Sequence, residues 1–186
     1  MFNAENPQQG SLLLSEPFML DPNFERSVVL LCEHNSEGTV GMILNQRSQL
    51  LITDIIDIEM VDFPLYIGGP VQNNAIFFLH RAIDKLGEGS PITKDIYWGG
   101  DFEKAIMLIN EGILSTDEIK FFLGYSGWAD GQLVDEINQN SWAVHNTYNS
   151  ELTFIVDGED LWKQALISLG PKYAHVANFP RSPNLN

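Results

Sequence analysis

Apolar residues recur along this chain with two periods, every second position in some stretches and every third or fourth in others. Ser11–Ser15 is a short apolar run that predicts a first strand. EPFMLDPNFERS follows, punctuated by Pro17 and Pro22, and predicts a helical turn or loop. Ser27–His34 (SVVLLCEH) and Thr39–Gln46 (TVGMILNQ) are strand-like, and the Gly-containing NSEG between them has hairpin length. LLITDIIDI, ending at Ile58, combines helix-compatible spacing with β-branched content, so the pattern leaves helix and strand open. PLYIGGPV and NAIFFLHR predict a second strand pair with GGPV between its members, and PITKDIYWGG a further strand.

Helical spacing dominates later. DFEKAIMLINEG offers Asp101 as N-cap, an apolar face from Ala105, Ile106 and Ile109, and Gly112 as a stop. EIKFFLGYSG predicts a strand entering a turn at Tyr125–Asp130. GQLVDEINQN then predicts a helix with Leu133 and Ile137 one turn apart. SWAVHNTY predicts another strand, and GEDLWKQALISLG a last helix closed by Gly170 and Pro171. Paired strands followed by alternating helices and strands favour an α+β fold with a largely antiparallel sheet over a regular βαβ array. The polar residues 1–9 are expected to form a flexible arm and 10–186 a single α+β domain, in which a small sub-lobe would have no boundary marked by a linker.

Charge narrows the partners. Ten basic against 25 acidic residues give a net charge of −15, which repels a phosphate backbone, and no basic run offsets it. Direct nucleic-acid binding is therefore not expected. Cys32 is the only cysteine, so no intrachain disulfide can form. MFNAENPQQG lacks the basic and apolar regions of a secretory signal, and runs such as Val28–Cys32 and Ala75–Leu79 are far short of a membrane span. The expectation is a cytoplasmic protein with no membrane contact.

Candidate chemistry is sparse. GYSGW approaches the nucleophile elbow G-x-S-x-G, but Trp128 stands where the closing glycine belongs and Gly127 comes one residue early. Ser126 therefore reads as a turn residue, and none of His34, His80, His145 or His175 carries a pattern naming it as a base. Asp130 reads as the N-cap of the following helix, with Gly127 and Gly131 supplying backbone freedom and Tyr125 and Trp128 packing. Gly68 and Gly69 read as a turn between strands. Cys32 and His34 share a strand face, a core thiol beside a polar-edge imidazole, without the spacing of a metal site. An ion pair of Arg26 or Arg47 with Asp21 or Glu25 is favoured over a substrate clamp. Asp54, Asp57, Glu59 and Asp62 read as a solvated face with at most weak binding of Ca²⁺ or Mg²⁺. No metal or cofactor is expected.

DPNFERSVVLLCEHNSEGTVGMILNQ, GGPV, FFLGYSGWADGQLVDEINQNSW and the terminal SPNLN together resemble the YqgE/AlgH family of bacterial proteins, in order and from about Gly10 onward. Asn184 stands where a serine is usual in that family, and Ala129-Asp130 where Gly-Pro is common. The resemblance implies a cytoplasmic α+β protein with a curled, barrel-like sheet flanked by helices, and no established activity. A transcriptional-regulator label travels with the AlgH name, but nothing here resembles a basic recognition helix or an Arg-rich arm. The first reading is a non-enzymatic regulatory or interaction protein that binds a protein partner or a small ligand. Its expected groove is lined by the 20s loop, GGPV and the Tyr125–Asp130 turn, that is Asp21, Arg26, His34, Asn45, Gly68, Gly69, Tyr125, Trp128 and Asp130. The second is an enzyme using polar residues of the same groove. A regulator binding DNA directly ranks last.

Overall fold

The computed structural model describes residues 2, 5–56, 63–156 and 158–180. In chain order the elements are β1 (Leu12–Ser15), β2 (Val28–Asn35), β3 (Gly38–Ile43), β4 (Arg47–Leu51), β5 (Pro64–Ile67), β6 (Val71–His80), α1 (Ile83–Leu86), β7 (Ser90–Pro91), β8 (Tyr97–Trp98), α2 (Phe102–Asn110), β9 (Ile119–Ala129), α3 (Gln132–Asn138), β10 (Trp142–His145) and α4 (Gly158–Leu169). Short 3-10 turns at Pro22–Phe24, Ile52–Asp54 and Ser150–Phe154, and two more after α4, connect them. The chain is α+β, as its pattern predicts.

Strand order is β10-β1-β2-β3-β9-β6-β8-β7, with β4 and β5 attached beside β9. The path has two ends, so the sheet is not closed into the expected barrel. Of the described pairings only β5 with β9 is parallel, with Leu65 opposite Phe121. The β2–β3 hairpin forms as predicted. The second predicted pair does not: β5 and β6 both exist, but β9 lies between them and pairs with each. The glycines after β5 are there for a backbone crossing and not for a hairpin turn. A Cβ at Gly68 would sit 2.2 Å from the Gly124 carbonyl oxygen, and Gly69, at φ +155°, lies equally close to the Tyr125 backbone. PITKDIYWGG holds two short strands, β7 and β8, in place of one. LLITDIIDI resolves into the end of β4 and a 3-10 turn, while its Asp57 and Ile58 fall outside the described residues.

Why the strands read as almost unbroken apolar runs follows from burial on both faces. Leu12, Leu14, Val28, Leu30 and Cys32 point to one face, where Leu161, Trp162, Ala165 and Leu166 of α4 cover them. Leu13, Val29, Leu31 and Ile43 point to the other, beneath Leu133 and Ile137 of α3. Further along, Phe78, Phe121 and Leu123 pack on α1 and α2 through Leu86, Ala105 and Ile109. Of the segment expected as a loose arm, Phe2 is buried and its ring meets Tyr173 at 6.0 Å.

β9 organises the site. It does not stop at Tyr125 but runs unbroken to Ala129, so the expected turn at Tyr125–Asp130 is mostly strand. Two irregularities re-phase it and β2, which lies one strand away across β3. Gly124 takes φ +66°, so Phe122 and Tyr125, three residues apart, face the same cluster. In β2 the register slips between Leu31 and Glu33. After these slips alternate residues come to solvent, Glu33 and Asn35 on β2 and Gly127 and Ala129 on β9.

Candidate functional site

The open face beyond the core is built from three strands in register: Glu33 of β2 opposes Val40 of β3, which opposes Gly127 of β9. Val71 opposes Tyr125 at its border. Together they line a groove of about 440 Å³ open to solvent, whose other walls include Asn35, Glu37 and Thr39. Tyr125 is half-buried and packs edge-on against Phe77 at 5.7 Å, and Phe77 in turn meets Trp98 at 6.4 Å.

Gly127 forms the floor, and its backbone does not need to be glycine. A Cβ there would make only ordinary contacts, 3.6 Å to the Tyr125 ring and 3.9 Å to a Val71 methyl. Gly38 and Gly124 differ, since both hold left-handed backbone against a carbonyl. The missing side chain at Gly127 leaves space between an aromatic ring and an aliphatic wall, and that space is part of the groove.

Trp128, next along the strand, points the opposite way. It is 5% exposed, and its Nε1 donates to Glu136 Oε2 at 2.9 Å, as does Trp142 Nε1 at 2.8 Å. One carboxylate of α3 thus ties two indoles of the sheet. Trp128 anchors the fold and lends the groove only its edge.

A smaller cleft of about 150 Å³ adjoins the groove and shares Asn35, Gly38 and Thr39 with it. His34 and Asp130 line this cleft, and His34 Nδ1 lies 2.7 Å from Thr39 Oγ1. Asp130 is exposed and does not cap α3; Gly131, at φ +77°, is the residue at that position, and it makes no side-chain cap. The turn needs a left-handed residue immediately before the helix, and Gly131 meets that need without strain.

Other residues expected in the groove fall elsewhere. Asp21 caps the 3-10 turn at Pro22–Phe24 by accepting from Asn23 N at 2.9 Å. Asn45 accepts from Val28 N and donates to Arg26 O, which staples β2 to the chain before it. Arg26 turns toward α4, with its guanidinium 4.9 Å from the Trp162 ring centre and Nη2 donating to Phe179 O at 2.6 Å. Gly68 and Gly69 are buried under the crossing strand. The structure therefore brings Tyr125, Trp128, His34 and Asp130 together at two adjoining hollows and leaves Asp21, Arg26 and Asn45 at a separate seam.

Ser126 is a strand residue, not a turn residue, and is fully buried, its hydroxyl donating to Gly68 O at 3.0 Å. Sequence reasoning missed a closer serine–histidine contact, because its members stand 23 residues apart. His145 Nε2 lies 2.9 Å from Ser168 Oγ. Ser168 gives its proton to Ala165 O at 2.8 Å, so the imidazole is the donor in this contact. A general base must accept from its serine, and this pair runs the other way. Burial also lowers the affinity of the imidazole for a second proton, with Glu5 opposing that effect.

Lys120 was also illegible as a buried group, since on β9 it looks like any exposed strand lysine. It is 4% exposed; Nζ donates to Thr153 O at 3.2 Å and Ile155 O at 2.8 Å and stands 4.1 Å from the Tyr66 ring centre. Burial pushes its pKa down to about 7. A lysine amine near that value is a general base or nucleophile when a substrate can reach it, but this one closes the carbonyl end of the Ser150–Phe154 turn. Cys32 is buried, and desolvation raises its thiol far above the reactive range.

One further cavity, of about 460 Å³, is lined by Gln8, Gln9, Thr93, Asn146, Tyr148 and neighbours. Three of its polar side chains are engaged with the fold: Gln9 donates to Pro91 O, Asn146 to Glu5 and Asn6, and Tyr148 to Gly10 O. It is a seam that fastens residues 5–10 to the fold. Among the described residues no three His, Cys, Asp or Glu side chains come together as a metal site, and no helix is long and apolar enough to cross a membrane.

A sequence model described as AlgH-like matches residues 12–174. A UPF0301 protein of Cytophaga hutchinsonii is 44% identical over 183 residues, covering 96% of this chain and 98% of its own. One from Bacteroides thetaiotaomicron is 42% identical, covering 97% and 92%. Among solved structures, a crystal structure of a Corynebacterium diphtheriae protein superposes with a TM-score of 0.78 at 23% identity, over 96% of this chain and 95% of that one. The solution structure of the AlgH protein of Pseudomonas aeruginosa gives 0.70 at 24%, over 97% and 98%. At such identities the two structures speak for the fold alone.

Proposed function

The chain belongs to the AlgH-like family, and we propose that it is a non-enzymatic interaction protein that takes a partner into the groove floored by Gly127. The observation that carries this reading is the floor itself. Strand geometry at Gly127 admits a side chain, yet none is there, and the space is walled by Tyr125 and Val71. A hollow of this size with an aromatic wall and polar rim fits the general form of a binding site. A regulatory role would be exerted through that partner and not through DNA, because Glu33 and Glu37 on the rim repel phosphate.

An enzyme remains the second reading. Its best candidate groups, Lys120 and the Ser168–His145 contact, are engaged with the fold and lie outside the lining of the groove. The test is a photo-crosslinking amino acid placed at Val71, which is 37% exposed on the groove wall, compared with one at Ile167 of α4, which is 56% exposed. Irradiation in cells is expected to give a discrete covalent adduct from Val71 and none from Ile167. No adduct from Val71, or the same adduct from both positions, would remove the groove from the account.

A further inference from the structure

The lining of the groove says what kind of group it would take. Among its ten lining residues, and the nine of the adjoining cleft, there is no lysine or arginine. Glu33 and Glu37 stand exposed on the rim, Asp130 lies in the cleft beside them, and the described ion pairs, Arg81–Asp117, Lys85–Glu118 and Lys94–Asp95, include none of the three. Acidic groups alone would say little in a chain of net charge −15. Here Glu33 and Glu37 rim a hollow that carries a tyrosine ring and the apolar Gly127, Val40 and Val71 in its lining, and Asp130 stands in the cleft beside it.

A lysine or arginine side chain fits that combination, having an aliphatic stem and a cationic head. The stem would lie along Val40, Gly127 and Val71. The head would meet the Tyr125 ring, whose π face attracts a cation, and the carboxylates of Glu33 and Glu37. Neutral ligands would use the apolar floor and leave the carboxylates idle, while anions would meet repulsion with no positive group to offset it. The field of the whole molecule works in the same sense by drawing a basic partner toward an acidic surface.

Resting on the reading of this groove as the interaction site, we infer that it holds a lysine or arginine side chain presented by an extended segment of a partner protein. The test is amide NMR of the full chain, following Gly38, Val40 and Gly127. Four probes are titrated: short peptides alike except for a central arginine, citrulline or glutamate, and free spermidine. The arginine peptide is expected to shift those amides, with binding about tenfold tighter than the citrulline peptide, and to weaken severalfold between about 50 and 200 mM salt. Glu33→Gln combined with Glu37→Gln, both at exposed positions, is expected to remove that preference with the spectrum otherwise unchanged.

Equal binding of the citrulline or glutamate peptide overturns the inference, as does a response to spermidine without one to the arginine peptide. Failure of all four probes to move the groove amides overturns it too. The two readings fail separately. A citrulline peptide that binds as well as arginine and is blocked by Gly127→Val leaves the groove standing as a site and removes only the cation. Absence of a Val71 adduct while Gly127 is intact removes the groove itself.

Discussion

Lys120 is the residue whose titration the fold most clearly alters. Burial holds its pKa at about 7, against about 10.4 for a lysine in water. Between those values the unfolded chain carries a proton that the folded chain has shed. Stability therefore rises with pH across the window, by up to about 1 kcal/mol per unit, and levels off below about 7, where both forms are protonated. Cys32 and Tyr148, whose pKa values burial raises, act in the opposite sense once an unfolded thiol or phenol ionises, above about pH 8.5 and 10. Denaturant midpoints measured between about pH 7 and 8.5 are thus expected to climb, and Lys120→Met is expected to flatten the climb. A wild-type midpoint flat across that range would mean that the Tyr66 ring and the two carbonyls keep the amine charged. At this scale the sequence was a poor guide. Nothing local distinguishes Lys120 from a solvated strand lysine, because its burial depends on Thr153 and Ile155, more than thirty residues away.

Among elements, the hairpin of β2 and β3, the capped helix α2 and the helices α3 and α4 were legible, because each is fixed by short-range pattern. Asp101 does cap α2, accepting from Lys104 N at 2.9 Å. What escaped was the long-range pairing around β9. A glycine pair reads locally as a turn, and only the crossing of Gly68 and Gly124 shows why side chains are excluded there. The extension of β9 through Gly127 escaped for the same reason, since glycine is a poor strand former unless a neighbouring strand holds it. A stability order follows for the end of this strand. Trp128 packs edge-on against Trp142 at 6.0 Å and meets Phe24 at the same distance, so Trp128→Ala is expected to cost about 3–5 kcal/mol. Asp130 is exposed and caps nothing, so Asp130→Ala is expected to stay within about 0.5 kcal/mol of wild type. Denaturant unfolding of the two variants checks the order, and a fully stable Trp128→Ala protein would contradict the packing described.

For the whole molecule, the central claim is that the uncovered end of the sheet between Glu33 and Tyr125 is a binding surface. About half of it could be read in advance. Tyr125, Trp128 and Asp130 do gather there, because their glycine-rich stretch is where β9 leaves the core, and His34 joins them from β2. Asp21, Arg26 and Asn45 are expected there as polar residues of a groove walled by the 20s loop, but they are occupied in joining that loop to β2 and α4. Glu33 and Glu37 carry no local mark of a site, and their place beside Tyr125 follows from the pairing of β2, β3 and β9. The most direct measurement is to introduce Gly127→Val into the protein carrying the Val71 crosslinker and to read thermal melting alongside adduct yield. Valine suits a strand and meets only ordinary contacts at its Cβ, so the melting temperature is expected to stay within about 2 °C of the parent while the adduct is lost. An undiminished adduct in a folded Gly127→Val protein would contradict the claim, because the partner would still bind with a side chain standing on the floor of the groove.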